Sequence, residues 1–136
     1  MPSLTRLVSE LGGTVAVACV YIAEAHAQDE WPISSGRYNA GRGPIRVAAP
    51  TTDEDRVALA RRLVADFAPF PMPVVVDTIA DGFEAAYAPW PFRFFGLTWP
   101  QAGGPPVLGY VAHPLDCSYD LGEARAWAMA AAGVAE

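Results

Sequence analysis

Residues 15–22, Val-Ala-Val-Ala-Cys-Val-Tyr-Ile, form a continuous apolar run rich in β-branched side chains, and this run limits the fold more than any other stretch. Extended by Thr14 and Ala23, it is still about half the ~20 residues that a membrane-spanning helix needs. A run this short and apolar suits a strand buried on both faces, as in parallel sheets. Residues 73–77, Pro-Val-Val-Val-Asp, repeat the pattern and read as a second fully buried strand. Parallel strands need a crossover connection, and the intervening sequence supplies one. Asp53 caps a helix in which Val57, Leu59, Ala60, Leu63, Val64 and Phe67 face a core, until Pro69, Pro71 and Pro73 stop it.

The flanking segments complete the order. Leu4, Leu7, Val8 and Leu11 fall at i, i+3, i+4 and i+7, a helical stripe that ends at Gly12-Gly13. Residues 23–50 carry Pro32, Gly36, Gly41, Gly43 and Pro44 without any period, and read as a long functional connection. A short helix over 81–88 runs into Pro89-Trp90-Pro91. Strands over 92–97 and 107–111 are spaced as a hairpin around the turn Gly103-Gly104-Pro105-Pro106. An Ala-rich helix over 119–132 closes the chain, with Leu121, Ala124, Trp127, Ala128 and Ala131 on one side. The order α-β-α-β-α-β-β-α predicts a layered α/β sheet in a single domain over 1–136.

Composition removes several classes of function. With 52% hydrophobic and 18% charged residues the chain is too apolar to be disordered. Its net charge of −6 repels phosphate backbones and anionic lipid, which argues against nucleic acid as a partner. Cys19 and Cys117 offer neither a disulfide framework nor zinc spacing, so no metal is expected. Residues 1–27 have two readings. Arg6, the apolar stretch and Ala25-His26-Ala27 imitate a signal peptide, which would make this an exported domain starting at Gln28. Glu10 cancels Arg6, however, and the leucine stripe favours a helix followed by a strand in a cytoplasmic protein.

The segment from Val20 to Trp31, Val-Tyr-Ile-Ala-Glu-Ala-His-Ala-Gln-Asp-Glu-Trp, strongly resembles the strand-plus-loop motif Y-I-x-E-A-H-x-x-D-x-W of the iodothyronine deiodinase family. The likeness continues in Glu54-Asp55-Arg56, in Pro73-Val74-Val75-Val76-Asp77-Thr78, in Ala86-Tyr87 with Arg93, and in Tyr119 with Glu123 and Arg125. It implies a thioredoxin-like fold in its peroxiredoxin-like arrangement, with the first core strand missing from this chain. The selenocysteine or cysteine nucleophile of the family ends that strand, so the resemblance implies a bacterial-type member lacking its nucleophile segment. Such a chain would leave sheet edges unpaired and is expected to aggregate or exchange strands. A UGA selenocysteine codon read as a stop before Met1 would produce it. The likeness further implies an oxidoreductase served by an external thiol reductant and no bound cofactor, acting on a small aromatic or halogenated substrate, with a homodimer left open. Three positions depart from the family: a second histidine falls on Pro50, an acidic residue beside Arg93 is Phe92, and an arginine falls on Pro114 beside His113.

Reductive dehalogenation of an aromatic ring needs a soft nucleophile to take the halogen and an acid to protonate the ring carbon. Histidine, titrating near ~6.5 when unperturbed, is the natural neutral-pH donor. Glu24 and His26, two residues apart where a strand opens into a loop, are placed to share a proton, and Tyr21 to extend the network. Tyr21, Glu24 and His26 are therefore the candidate proton relay. Cys19, inside an apolar strand, reads as a small buried hydrophobe, and Cys117 as an incidental thiol in a polar turn. Arg37, Arg42 and Arg46 read either as a solvated loop or as a grip on a substrate carboxylate. Pro91, directly before a strand, stands where thioredoxin-like folds place a cis-proline. A rival reading, from a different class, is a non-catalytic thioredoxin-like binding module.

Overall fold

The computed structural model describes residues 2–32, 46–114 and 119–133. Their elements follow the expected order: α1 (Pro2–Leu11), β1 (Cys19–Tyr21), α2 (Asp53–Asp66), β2 (Val74–Val76), α3 (Gly82–Tyr87), β3 (Phe95–Thr98), β4 (Val107–Val111) and α4 (Leu121–Ala131). The protein is mixed α/β. Among the described residues the strands form two two-stranded sheets, β1 with β2 and β3 with β4. The Cys19 amide donates to the Pro73 carbonyl and the Asp77 amide to the Tyr21 carbonyl, both at 2.9 Å. These bonds advance together along both chains, the pattern of parallel strands. The chain divides into two compact units.

The first unit comprises residues 1–19, 69–73 and 92–136. Leu7 and Leu11 of α1 and Ala128 of α4 are its buried core, and Leu4, Val15, Val17, Leu121, Trp127 and Met129 pack around them. Gly12 and Gly13, at φ 42° and 82°, end α1 in a conformation that a Cβ would disfavour. Strands β3 and β4 are antiparallel, pairing Gly96 with Tyr110 and Leu97 with Leu108, so that Gly109 is the extra residue of a bulge. Trp127 lies over this hairpin: a Cβ on Gly96 would fall inside its ring, and one on Gly109 would come within 3.1 Å of Cζ2. Tyr110 stacks on the same indole at 5.4 Å.

The second unit comprises residues 20–68 and 74–91. Thr52 caps α2, its hydroxyl accepting from the Asp55 amide at 3.1 Å. Asp53, the residue expected to cap, is instead the first helical residue, and its carboxylate accepts from the Ile79 amide at 2.6 Å. Helix α2 packs on β2. Asp77 caps α3 from outside, its carboxylate accepting from the Phe83 and Glu84 amides at 3.0–3.2 Å.

Several expectations are corrected. Residues 15–18 lie outside β1 and alternate half-buried valine with exposed alanine, so the apolar run is not covered on both faces. Val75 is 53% exposed between half-buried Val74 and Val76, because period-two geometry gives α2 one face of β2 only. Phe92 and Phe94 precede β3 rather than open it. Their rings stand edge-on to each other and to Tyr119, whose hydroxyl donates to the Phe92 carbonyl. Ala131, expected on the packed side of α4, is exposed.

Candidate functional site

The candidate relay lies in the second unit. Tyr21 ends β1 half-buried, and the chain then leaves the sheet through Ile22 and Ala23 to Glu24 and His26. What gives the loop its shape is Ala27, fully buried, whose carbonyl accepts from the Glu30 and Trp31 amides at 3.2 and 3.1 Å. Two further bonds pin the loop to the segment 46–50. The Gln28 amide donates to the Val47 carbonyl, and the Asp29 carboxylate accepts from the Ala49 amide, each at 2.8 Å. The small and acidic positions of the sequence motif thus have structural work of their own.

His26 is held by Trp31, with Nδ1 3.1 Å from the Trp31 carbonyl and the two rings edge to face at 5.4 Å and 63°. A carbonyl only accepts, so Nδ1 carries the proton and the neutral ring keeps its lone pair on Nε2. Glu24 is half-buried, and burial pushes its carboxyl pKa up from the ordinary 4.5, while the charge of Arg56 pulls it back down. Among the described residues no hydrogen bond joins the side chains of Tyr21, Glu24 and His26; the sequence brings the three to one loop, and the imidazole rests on a main-chain carbonyl.

Arg56, read in the sequence only as part of the Glu-Asp-Arg likeness, is the buried cation whose charge acts on Glu24. It is 3% exposed on α2, and its Nη1 donates to the Thr78 carbonyl at 2.6 Å, the Asp81 carboxylate at 2.7 Å and the Asp77 carbonyl at 3.4 Å. Its Nε and the Oε2 of Glu84 are buried without a hydrogen-bond partner among the described residues. The signal was the Glu-Asp-Arg triplet, whose arginine falls one turn into a helix on the side that meets the turn after β2. Trp31 and Trp90 stack at 6.5 Å and 23°, and the Trp90–Pro91 peptide bond is cis, as the position of Pro91 suggested.

The remaining candidates are scattered. Cys19 opens β1 half-buried rather than enclosed, and burial pushes its thiol pKa up, toward the unreactive form. Cys117, Arg37 and Arg42 lie outside the described residues. Arg46 is exposed, and its carbonyl accepts from Arg62 at 3.4 Å. In the first unit, Arg93 has its Nε buried without a partner among the described residues, and His113 is exposed. Among the described residues no three His, Cys, Asp or Glu side chains are grouped to hold a metal ion, and no helix is long and apolar enough to cross a membrane.

Comparison with known proteins agrees with the motif. A curated relative, the type I iodothyronine deiodinase of Xenopus laevis, is 32% identical over 92 residues, which is 68% of this chain and 32% of that protein. The chain therefore spans about a third of the length of the relative it matches. The family model described as iodothyronine deiodinase matches residues 1–129, from α1 through most of α4. With the Tyr-x-x-Glu-x-His loop, the Glu-Asp-Arg helix start and most of the closing helix inside that match, the chain belongs to the iodothyronine deiodinase family.

Proposed function

We propose that this chain is the proton-handling part of a deiodinase-like oxidoreductase that reductively dehalogenates an aromatic ring, with Tyr21, Glu24 and His26 as its relay. The observation that carries the reading is the fixed His26 imidazole, Nδ1 on the Trp31 carbonyl, following a half-buried Glu24 whose carboxyl is raised by burial. In the reaction a selenol or thiol takes the iodine as a chalcogen–iodine bond, and the ring carbon receives a proton in its place. A thiol reductant then returns the chalcogen to its reduced form, releasing iodide and ending as a disulfide.

The nucleophile in this reading is a selenocysteine or cysteine on a strand outside these 136 residues. The raised thiol pKa of Cys19 supports that assignment, since a thiol held protonated is a poor nucleophile. The test extends the chain with a strand segment ending in cysteine or selenocysteine and measures iodide release from an iodinated phenol in the presence of dithiothreitol. Release that depends on both the added chalcogen and His26 supports the enzyme. Binding of the phenol with no release under any extension supports the binding module instead.

A further inference from the structure

We infer that the tip of the β3–β4 hairpin is a membrane-docking element, which inserts Trp99, Val107 and Leu108 into the headgroup region of an uncharged, phosphatidylcholine-type lipid surface. The inference stands apart from the dehalogenation reading and uses none of its residues. Every residue from Trp99 to Gly109 is exposed, whereas the base of the hairpin, Phe95 and Gly96 on one strand and Tyr110 to Ala112 on the other, is half-buried or buried. The hairpin therefore projects from its unit, and apolar side chains gather at the projecting end. Trp99 is 67% exposed, more than any other large hydrophobic side chain among the described residues, with Val107 at 54% and Leu108 at 44%. Leu108 pairs across the strands with Leu97, which is also exposed. Single exposed apolar residues are ordinary, but a group of four at one tip marks an interaction surface.

Charge and backbone chemistry select the occupant. Residues 94–115 contain no Asp, Glu, Lys or Arg, so all nine basic and fifteen acidic side chains of the chain lie elsewhere. An uncharged tip lets a chain of net charge −6 meet a neutral surface, while that same charge turns it away from anionic lipid. Tryptophan is the side chain that favours the membrane–water boundary. A peptide N–H taken out of water is costly unless it is bonded. Pro100, Pro105 and Pro106 have none, and the Gly103 amide already donates to the Pro100 carbonyl at 3.0 Å. Gly103 and Gly104, at φ 82° and 117°, close the turn in a conformation that side chains would disfavour. The competing occupant is a second copy of the chain, which would pair along β4. Pro105-Pro106 before that strand and the bulge at Gly109 blunt its edge against such pairing. The tip is open and the strand edge is guarded, which favours lipid over another strand.

The test floats the full chain with phosphatidylcholine vesicles on a density gradient, which separates bound protein from aggregate. The wild-type chain is expected to rise with the vesicles, and lipid brominated on its acyl chains should quench its tryptophan fluorescence. Trp99→Ser should weaken partitioning by at least about tenfold, the scale of one large apolar side chain taken out of water. Trp99→Phe should bind within about threefold of the wild type, since a large aromatic still enters the interface, but should lose the bromine quenching. Val75→Ser, which removes an exposed valine from the other unit, should float like the wild type. Replacing half of the lipid by phosphatidylglycerol should reduce binding at low salt, and added salt should restore it. Three results would overturn the inference: a wild-type chain that does not float, a Trp99→Ser chain of unchanged circular dichroism that floats equally well, or binding strengthened by phosphatidylglycerol. Dimerisation in sedimentation velocity that Trp99→Ser abolishes, with no flotation, would assign the tip to a second copy and likewise overturn it.

Discussion

The Trp31 main-chain carbonyl holds the Nδ1–H of His26 at 3.1 Å, so any proton that this imidazole hands to a substrate leaves from Nε2. In a chain extended to carry its nucleophile, His26→Ala is expected to lower turnover by about 10²–10⁴-fold, the usual contribution of one acid–base group. His26→Asn offers an amide near the Nδ1 position but nothing at Nε2. It should therefore be as slow as the alanine variant, and iodide release rates check both. A loss below about threefold in either would remove His26 from the relay.

Burial raises the pKa of Glu24 in the folded chain above its ordinary 4.5, so folding favours the protonated carboxyl. Its contribution to stability is complete below the unfolded value and is lost as pH rises through the folded one. Glu24→Gln, which stays neutral, should gain on the parent chain as pH rises from about 4 to about 8. Thermal unfolding of the pair across that range gives the answer, and a constant difference would show that Glu24 titrates alike in both states.

Arg56 should be the most costly polar residue to remove from the second unit. Arg56→Met keeps most of the volume but strands the Asp77 and Thr78 carbonyls and the Asp81 carboxylate. Breaking a buried pair typically costs ~3–5 kcal/mol; because the Asp81 side chain is 43% exposed, we expect about 2–4 kcal/mol by urea unfolding. Arg56→Lys should lose less, since an ammonium can still reach part of the same acceptor set.

Asp77 does for α3 what an N-cap residue normally does, although it lies four residues before the cap position at Asp81, which makes no side-chain cap bond. Asp77→Ala should cost about 1–2 kcal/mol, at the upper end of capping losses, and Asp77→Asn less than half of that. Hydrogen exchange at the Phe83 and Glu84 amides should accelerate in the alanine variant and remain slow in the parent.

Periodicity was enough to place the eight elements, because leucines at helical spacing and valines in short runs report on chain geometry directly. It overstated burial at Val75 and over residues 15–18, where a strand's apolarity is shared between a packed face and an open one. The candidate loop was legible as chemistry, through Glu24 and His26, but its geometry was not. The imidazole's partner is a main-chain carbonyl, which every residue possesses, and the loop turns on Ala27, whose side chain carries no functional signal. Arg56 was hidden for the opposite reason: a charged residue in a helix reads as solvated until the carbonyls that desolvate it are seen, and those belong to a turn some twenty residues further along.

The flat seat of Trp127 on Gly96 has a consequence for how this family member can drift. Alanine at 96 collides with the indole, and a smaller residue at 127 leaves a cavity against the core that typically costs about 3–5 kcal/mol, so each change is costly on its own. A side chain at 96 would have to evict the indole from its seat, so the glycine is required for as long as the tryptophan is kept.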